Sequence, residues 1–260
     1  MKVLNDILGY KGLKLFQDPD CFCFSLDSVV LANYCNIRVR DSKIVEFCSG
    51  NGVVSIIMSQ RTKANIIGIE IQEKLYNMAN ASLNINNLNE RITFINEDIK
   101  EYVKGKDNNV DLIVCNPPYF KYDQNNKIND SIEKQIARHE ICINIDDICS
   151  CASKILKDNG KLCIVHRTDR FTDVYDSMKK YRIEPKRIKY IYNNENSNSE
   201  MFLIEGQKNA GTGLIIDKPL IIRNLDGSFT VEYKKLQEEI NIWFKKVMMI
   251  LLLYILSQLL

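Results

Sequence analysis

The fold class the sequence predicts is α/β: a doubly wound, mostly parallel sheet of seven strands. Three observations carry that expectation. From Lys43 onward, short apolar runs alternate with helix-periodic stretches, the pattern of successive βαβ units. The first run, "KIVEF", leads into a turn that holds Gly50 and Gly52 and opens a helix. The fourth, "VDLIVC", runs into "NPPY", where two prolines without N–H donors stop a sheet ladder at once.

Taken in order, the runs at 43–47, 65–70, 91–95, 110–115 and 160–165 predict the parallel strands. Between them, Leu75, Met78, Ala79 and Leu83 keep one helical face, and Ile148, Ala152, Ile155 and Leu156 keep another. The stretches 184–192 and 200–206 predict two more strands, an antiparallel pair at one edge. The polar connection "YFKYDQNNKINDSIEKQ" directly after the proline pair has two readings: a mobile loop over a site, or an ordinary surface loop.

A chain of 260 residues suits one main domain, expected over 1–235, with an apolar appendage over 236–260. Leu236, Ile240, Trp243, Phe244 and Val247 are spaced for a packed amphipathic helix. The apolar run from Val247 to Leu260 is about two-thirds of a bilayer-spanning helix. Its readings are a packed or oligomeric helix, a weak membrane tether, or an altered reading frame at the gene's end.

Charge is nearly balanced, Lys+Arg 35 against Asp+Glu 33, so any nucleic-acid surface must be local rather than a property of the whole chain. Nine cysteines without a CxxC pair, and two histidines, speak against a zinc site or a disulfide framework. The cysteines beside apolar runs, Cys115 and Cys163 among them, read as small buried hydrophobes in a reducing cytoplasm. The first residues show no secretory signal, which predicts an intracellular protein.

The motifs cluster at the carboxyl ends of the predicted strands, the rim on which open α/β sheets bind ligands. "VEFCSGNGVVSII" places Glu46, Cys48, Gly50 and Gly52 at the first strand end; glycine tolerates the sharp turn there and lets a ligand approach the backbone. It departs from the full dinucleotide fingerprint, since Cys48 stands for the early glycine and the third glycine is missing. Glu70, with Ile71 after it, closes the second strand at close to the spacing of about 20 residues expected for an acid that accepts from ribose hydroxyls. Asp98 in "NEDI", with Ile99 beside it, reads the amino edge of an adenine or caps a helix.

"NPPY" then faces the crevice where strand order reverses. A planar amine is a poor nucleophile because its lone pair is delocalised into the adjacent π-system. The side-chain oxygen of Asn116 and the carbonyl of Pro117 can accept its two hydrogens, aim the nitrogen and stabilise the positive charge that develops there. The ring of Tyr119 can stack on the planar group and fix the line of attack.

Together these residues resemble the class I S-adenosylmethionine-dependent methyltransferases that act on planar amino nitrogens, whose mark is Asn/Asp-Pro-Pro-aromatic after the fourth strand. The resemblance implies a Rossmann-like sheet and S-adenosylmethionine as cofactor. It further implies contacts of "EFCSGNG" with the methionine part, of Glu70 with the ribose and of Asp98 with the adenine. A narrower likeness rests on "DPDCFCFSLDSVVLANY", "ARHE" at 137–140 and "DGSFTVE" at 226–232, and covers roughly residues 1–235. This set is similar to bacterial enzymes that methylate N6 of the anticodon-adjacent adenine of a valine tRNA. By that similarity Phe24 and Asp27 close over the cofactor, while Arg138 and His139 lie on the substrate side.

A tRNA partner implies phosphate contacts from local basic positions: Lys11, Lys14, Lys121, Lys127, Lys186, Arg187 and Lys189. No metal is expected. Two other substrates suit the same motif. One is the glutamine amide of a peptide-chain release factor, whose enzymes carry a helical recognition domain that a first strand at Lys43 leaves no room for. The other is adenine in DNA, for which no separate target-recognition region is visible. A non-catalytic RNA-binding scaffold is the reading from outside enzymology, and the paired cofactor and transfer motifs weigh against it.

Overall fold

The computed structural model describes residues 2–7, 10, 12–19, 21, 24, 26–106, 108–121, 135–136 and 140–235. The expected helix over 236–247, the tail beyond it, and Lys11, Lys127, Arg138 and His139 lie outside the described residues.

An N-terminal hairpin, β1 (Val3–Asp6) and β2 (Lys14–Gln17), precedes α1 (Leu26–Tyr34). The sheet is then built from β3 (Lys43–Phe47), β4 (Asn65–Glu70), β5 (Ile92–Asn96), β6 (Val110–Cys115) and β7 (Leu156–Arg167). It continues through β8 (Ile183–Tyr192), β9 (Ser199–Lys208), β10 (Ile215–Ile216) and β11 (Leu220–Ile221). Strand order is β5-β4-β3-β6-β7-β9-β8, with β10 and β11 both against the outer side of β8. Only β9 runs antiparallel to its neighbours. Order therefore reverses between β3 and β6, which opens a crevice at their carboxyl ends.

Strand periodicity explains why both faces are covered. Along β6, Leu112 and Val114 join one apolar core while Ile113 and Cys115 join the other. The first core holds α1, α2 (Val53–Ser59) and α3 (Glu73–Asn86); the second holds α4 (Ile99–Tyr102), α5 (Ile145–Ile155) and α6 (Phe171–Lys180). The stripe of α3 is the expected one, Leu75, Met78, Ala79 and Leu83, all buried.

Three features differ from the sequence expectation. The sheet has nine strands rather than seven, because two-residue strands at 215–216 and 220–221 extend its edge; segments so short carry no periodicity to read. Leu156 belongs to β7 and not to the preceding helix: it pairs with Val110, and α5 ends there as the backbone turns to an extended ψ of 137°. The N-terminal hairpin was also not apparent. Asn86 and Ser82 of α3 accept from the Lys14 and Phe16 amides at 2.9 and 3.0 Å, so it forms on a surface distant in sequence. Among the described residues no helix is long and apolar enough to cross a membrane.

Candidate active site

The strand ends around the reversal enclose a cleft whose empty space, its mouth included, is about 970 Å³. Its base is the turn after β3. Cys48, Gly50 and Gly52 all adopt the left-handed conformation, at φ 55°, 55° and 84°. For Cys48 that costs about 1–2 kcal/mol relative to the right-handed region, a strain the expected glycine would have relieved. Gly52 caps α2 and is required twice over, because a β-carbon there would stand 2.4 Å from the Phe94 ring. A β-carbon on Gly50 would meet nothing within 4 Å: the backbone lies open to the cleft it lines.

Two buried acids brace this turn. Glu46 accepts from the Ser55 amide at 2.9 Å and from the Ser55 hydroxyl, and burial pushes its carboxyl up to about 8. Glu70 accepts from the amides of Gly50 at 2.7 Å and Gln72 at 2.9 Å. Burial raises its pKa, and the hydrogen bonds from Gln72, Gly50 and Ile71 oppose the rise. Three bonds still leave about one of a carboxylate's roughly four lone-pair sites, so Glu70 can accept from a hydroxyl in the cleft while holding the turn. Asp98 caps α4, one oxygen accepting from the Lys100 amide at 2.8 Å, and the residue also lines the cleft. Ile71, Ile99 and Phe24 line it too.

Opposite the turn stands the proline corner. Asn116 follows β6, and its Nδ2 donates to Ser28 Oγ at 3.0 Å. The Tyr119 hydroxyl donates to Asp27 Oδ2 and lies 2.5 Å from Asn116 Oδ1. Burial and the nearby Asp27 hold the phenol well above its usual range, so it stays protonated. An amide oxygen has two lone pairs, so that of Asn116 retains one for an incoming N–H. Arg170 secures the chain after the prolines, with Nη1 on the Tyr119 carbonyl at 3.1 Å, Nη2 on Glu140 at 2.9 Å and Nε on Asp173 at 2.6 Å. Lys121 pairs with Asp173 at 3.0 Å, so a phosphate there must compete with a carboxylate already in place.

Behind Tyr119 lies His166, wholly buried, with the two ring centroids 5.3 Å apart. Its Nδ1 accepts from the Arg167 amide, so Nε2 carries the proton, and that atom has no hydrogen-bond partner among the described residues. Burial, then the Arg170 charge, lowers its pKa to about 4.

The structure thus brings Glu46, Cys48, Gly50, Glu70, Ile71, Asp98, Ile99, Asn116, Pro117, Tyr119 and Phe24 to one cleft, with Gly52 beneath it. Asp27 is not in the lining and sits on the Tyr119 hydroxyl instead. Sequence reasoning missed Ser28, Arg170 and His166. Only Ser28 had a local signal, as the neighbour of Asp27; the other two reach the site through β7 and the turn after it. The open backbone at Gly50, the acid at Glu70 and the largely apolar lining fit a nucleoside joined to a short amino-acid chain.

Residues 16–183 match the family described as methyltransferase small domain. Among curated proteins, the chain is 24% identical over 214 residues to the tRNA1(Val) (adenine(37)-N6)-methyltransferase of Flavobacterium psychrophilum, covering 81% of this chain and 90% of that protein. It is 25% identical over 234 residues to the protein of the same name from Flavobacterium johnsoniae, covering 88% and 97%. Among solved structures, a protein described as a predicted O-methyltransferase from Agrobacterium tumefaciens superposes with a TM-score of 0.66 at 19% identity, over 82% of this chain and 96% of that one. The geranyl diphosphate C-methyltransferase of Streptomyces coelicolor superposes at 0.51 with 11% identity, over 70% and 79%. At such identities these two carry the fold alone.

Proposed function

Because the chain belongs to the methyltransferase small domain family, we propose that it transfers a methyl group from S-adenosylmethionine to N6 of an adenine in tRNA. The anticodon-adjacent adenine of a valine tRNA is the expected target. The observation that carries this reading is the proline corner: Asn116 and Pro117 line the cleft beside Tyr119, whose hydroxyl is held by Asp27 and lies against the Asn116 amide oxygen. Relatives named for that reaction support the choice of substrate. The catalytic unit is residues 1–235; residues 236–260 stand outside this reading.

The cofactor, once bound, supplies an electrophilic methyl group on a positively charged sulfur. The rest follows from the chain. Glu70 would hold the ribose and Asp98 the adenine, and the backbone of the turn after β3 would hold the methionine part. Asn116 Oδ1 and the Pro117 carbonyl take the two N6 hydrogens and turn the nitrogen lone pair toward the methyl carbon. As the N–C bond forms and the C–S bond breaks, positive charge grows on nitrogen between two dipoles already in place. The extra proton then leaves to water. A base in a duplex or folded loop must be extruded to reach this corner, and the Tyr119 ring offers it a stacking partner.

The test is a single-turnover assay with methyl-labelled cofactor, offering unmodified valine tRNA and a release factor in parallel. The expected result is N6-methyladenosine in the digested RNA. Label on a glutamine of the protein, with none in the RNA, would overturn the substrate and leave the chemistry of the corner standing.

A further inference from the structure

The likeness to adenine-N6 methyltransferases would have Asp27 close over the cofactor. Its surroundings point elsewhere. Phe24 and Ser28 line the cleft and Asp27 does not, although it lies beside Ser28 in the first turn of α1. One carboxylate oxygen is held by the Ser28 amide at 2.9 Å, and the other receives the Tyr119 hydroxyl. The next residue, Ser28, takes the Nδ2 of Asn116 at 3.0 Å. Consecutive residues at the start of α1 therefore grip the two side chains of the proline corner that face substrate.

We propose that Asp27, with Ser28 beside it, is a positioning residue for the methyl-accepting amine: it anchors the Tyr119 hydroxyl and so fixes the ring plane on which the target base stacks. This rests on the methyl-transfer reading above and moves Asp27 from the cofactor side to the substrate side. The physical case lies in the freedom a tyrosine ring otherwise has. The proline pair fixes the backbone up to Tyr119 but not the side-chain torsions, and a ring that turns away from its stacking plane offers the base nothing. A phenol has one proton. Given to a carboxylate, it makes the stronger, charge-assisted bond, so the ring is tethered at its far end while the Asn116 oxygen keeps a lone pair for the amine. The same ring also packs against His166, with the two ring centroids 5.3 Å apart.

A double-mutant cycle between Asp27→Ala and Tyr119→Phe tests this, with cofactor affinity measured separately by calorimetry. In the otherwise wild-type chain, Asp27→Ala lowers kcat/KM for RNA at least tenfold while the S-adenosylmethionine Kd stays within twofold. In the Tyr119→Phe chain, which keeps the ring but has no hydroxyl to anchor, the same substitution changes kcat/KM less than twofold. Asp27→Asn, whose side-chain oxygen still accepts, recovers most of the activity and serves as the folded control. A tenfold loss of cofactor affinity in Asp27→Ala, or an equal loss of activity in both backgrounds, overturns the proposal. If the wild-type enzyme labels the release factor instead of RNA, the substrate reading fails, and the cycle is scored on that amide, because the anchored ring serves either planar group.

Discussion

Gly52→Ala puts a methyl group into the tightest contact at the base of the cleft. Its β-carbon would meet Phe94 Cζ at 2.4 Å and Cε2 at 2.9 Å, inside van der Waals contact, at a backbone φ of +84° that L-residues rarely adopt. The conformational part costs about 1–2 kcal/mol. Overpacking a buried ring adds about 1–3 kcal/mol, because Phe94 is also pressed against Gly68 and has no room to retreat. The expected loss is therefore about 2–5 kcal/mol, a large share of the stability of a domain. Urea unfolding measures it, and Phe94→Leu separates the parts: in that background the steric part falls away and Gly52→Ala costs about 1–2 kcal/mol. Calorimetry should show weaker S-adenosylmethionine binding in Gly52→Ala even where it is folded, since the turn it supports carries Gly50 and Asn51, which line the cleft. A cost below about 0.5 kcal/mol, or the same cost in both backgrounds, would refute the account of the turn.

Four further outcomes are expected. Asn116→Ala should lower single-turnover methyl transfer by about 100–1000-fold while leaving cofactor Kd within about twofold, since it removes one preorganised dipole from the developing charge. Tyr119→Ala should in addition raise KM for RNA through the loss of about 1–3 kcal/mol of stacking. Glu70→Ala should weaken cofactor binding by about 1–3 kcal/mol in calorimetry, with unchanged affinity speaking against Glu70 as a ribose ligand. His166 makes the fold acid-sensitive: its pKa is lowered to about 4 by burial, so between pH 6.5 and 4 the unfolded chain takes a proton that the folded chain refuses. Its contribution is whole above pH 6.5 and falls by about 3 kcal/mol as pH drops to 4, and His166→Phe should flatten that part of the pH–stability curve.

The strands and the rim of the site were legible because each rests on local chemistry. The near-continuous apolar runs "KIVEF" and "VDLIVC" mark strands buried on both faces, and the structure has β3 at 43–47 and β6 at 110–115 as expected. Glycine at 50 and 52 and proline at 117 and 118 restrict or free the backbone by their own covalent structure, so the two walls of the cleft could be named from residue type. Contacts between distant segments could not. The N-terminal hairpin depends on α3 side chains some 66–72 residues away. β10 and β11 exist only because β8 offers them an open edge. Arg170 reaches the proline corner from the turn after β7, across 51 residues of chain, and Asp27 holds a phenol 92 residues on. Residue type says what a carboxylate can bond; which hydroxyl or amide comes within 3 Å of it is decided by how the helices pack on the two faces of the sheet.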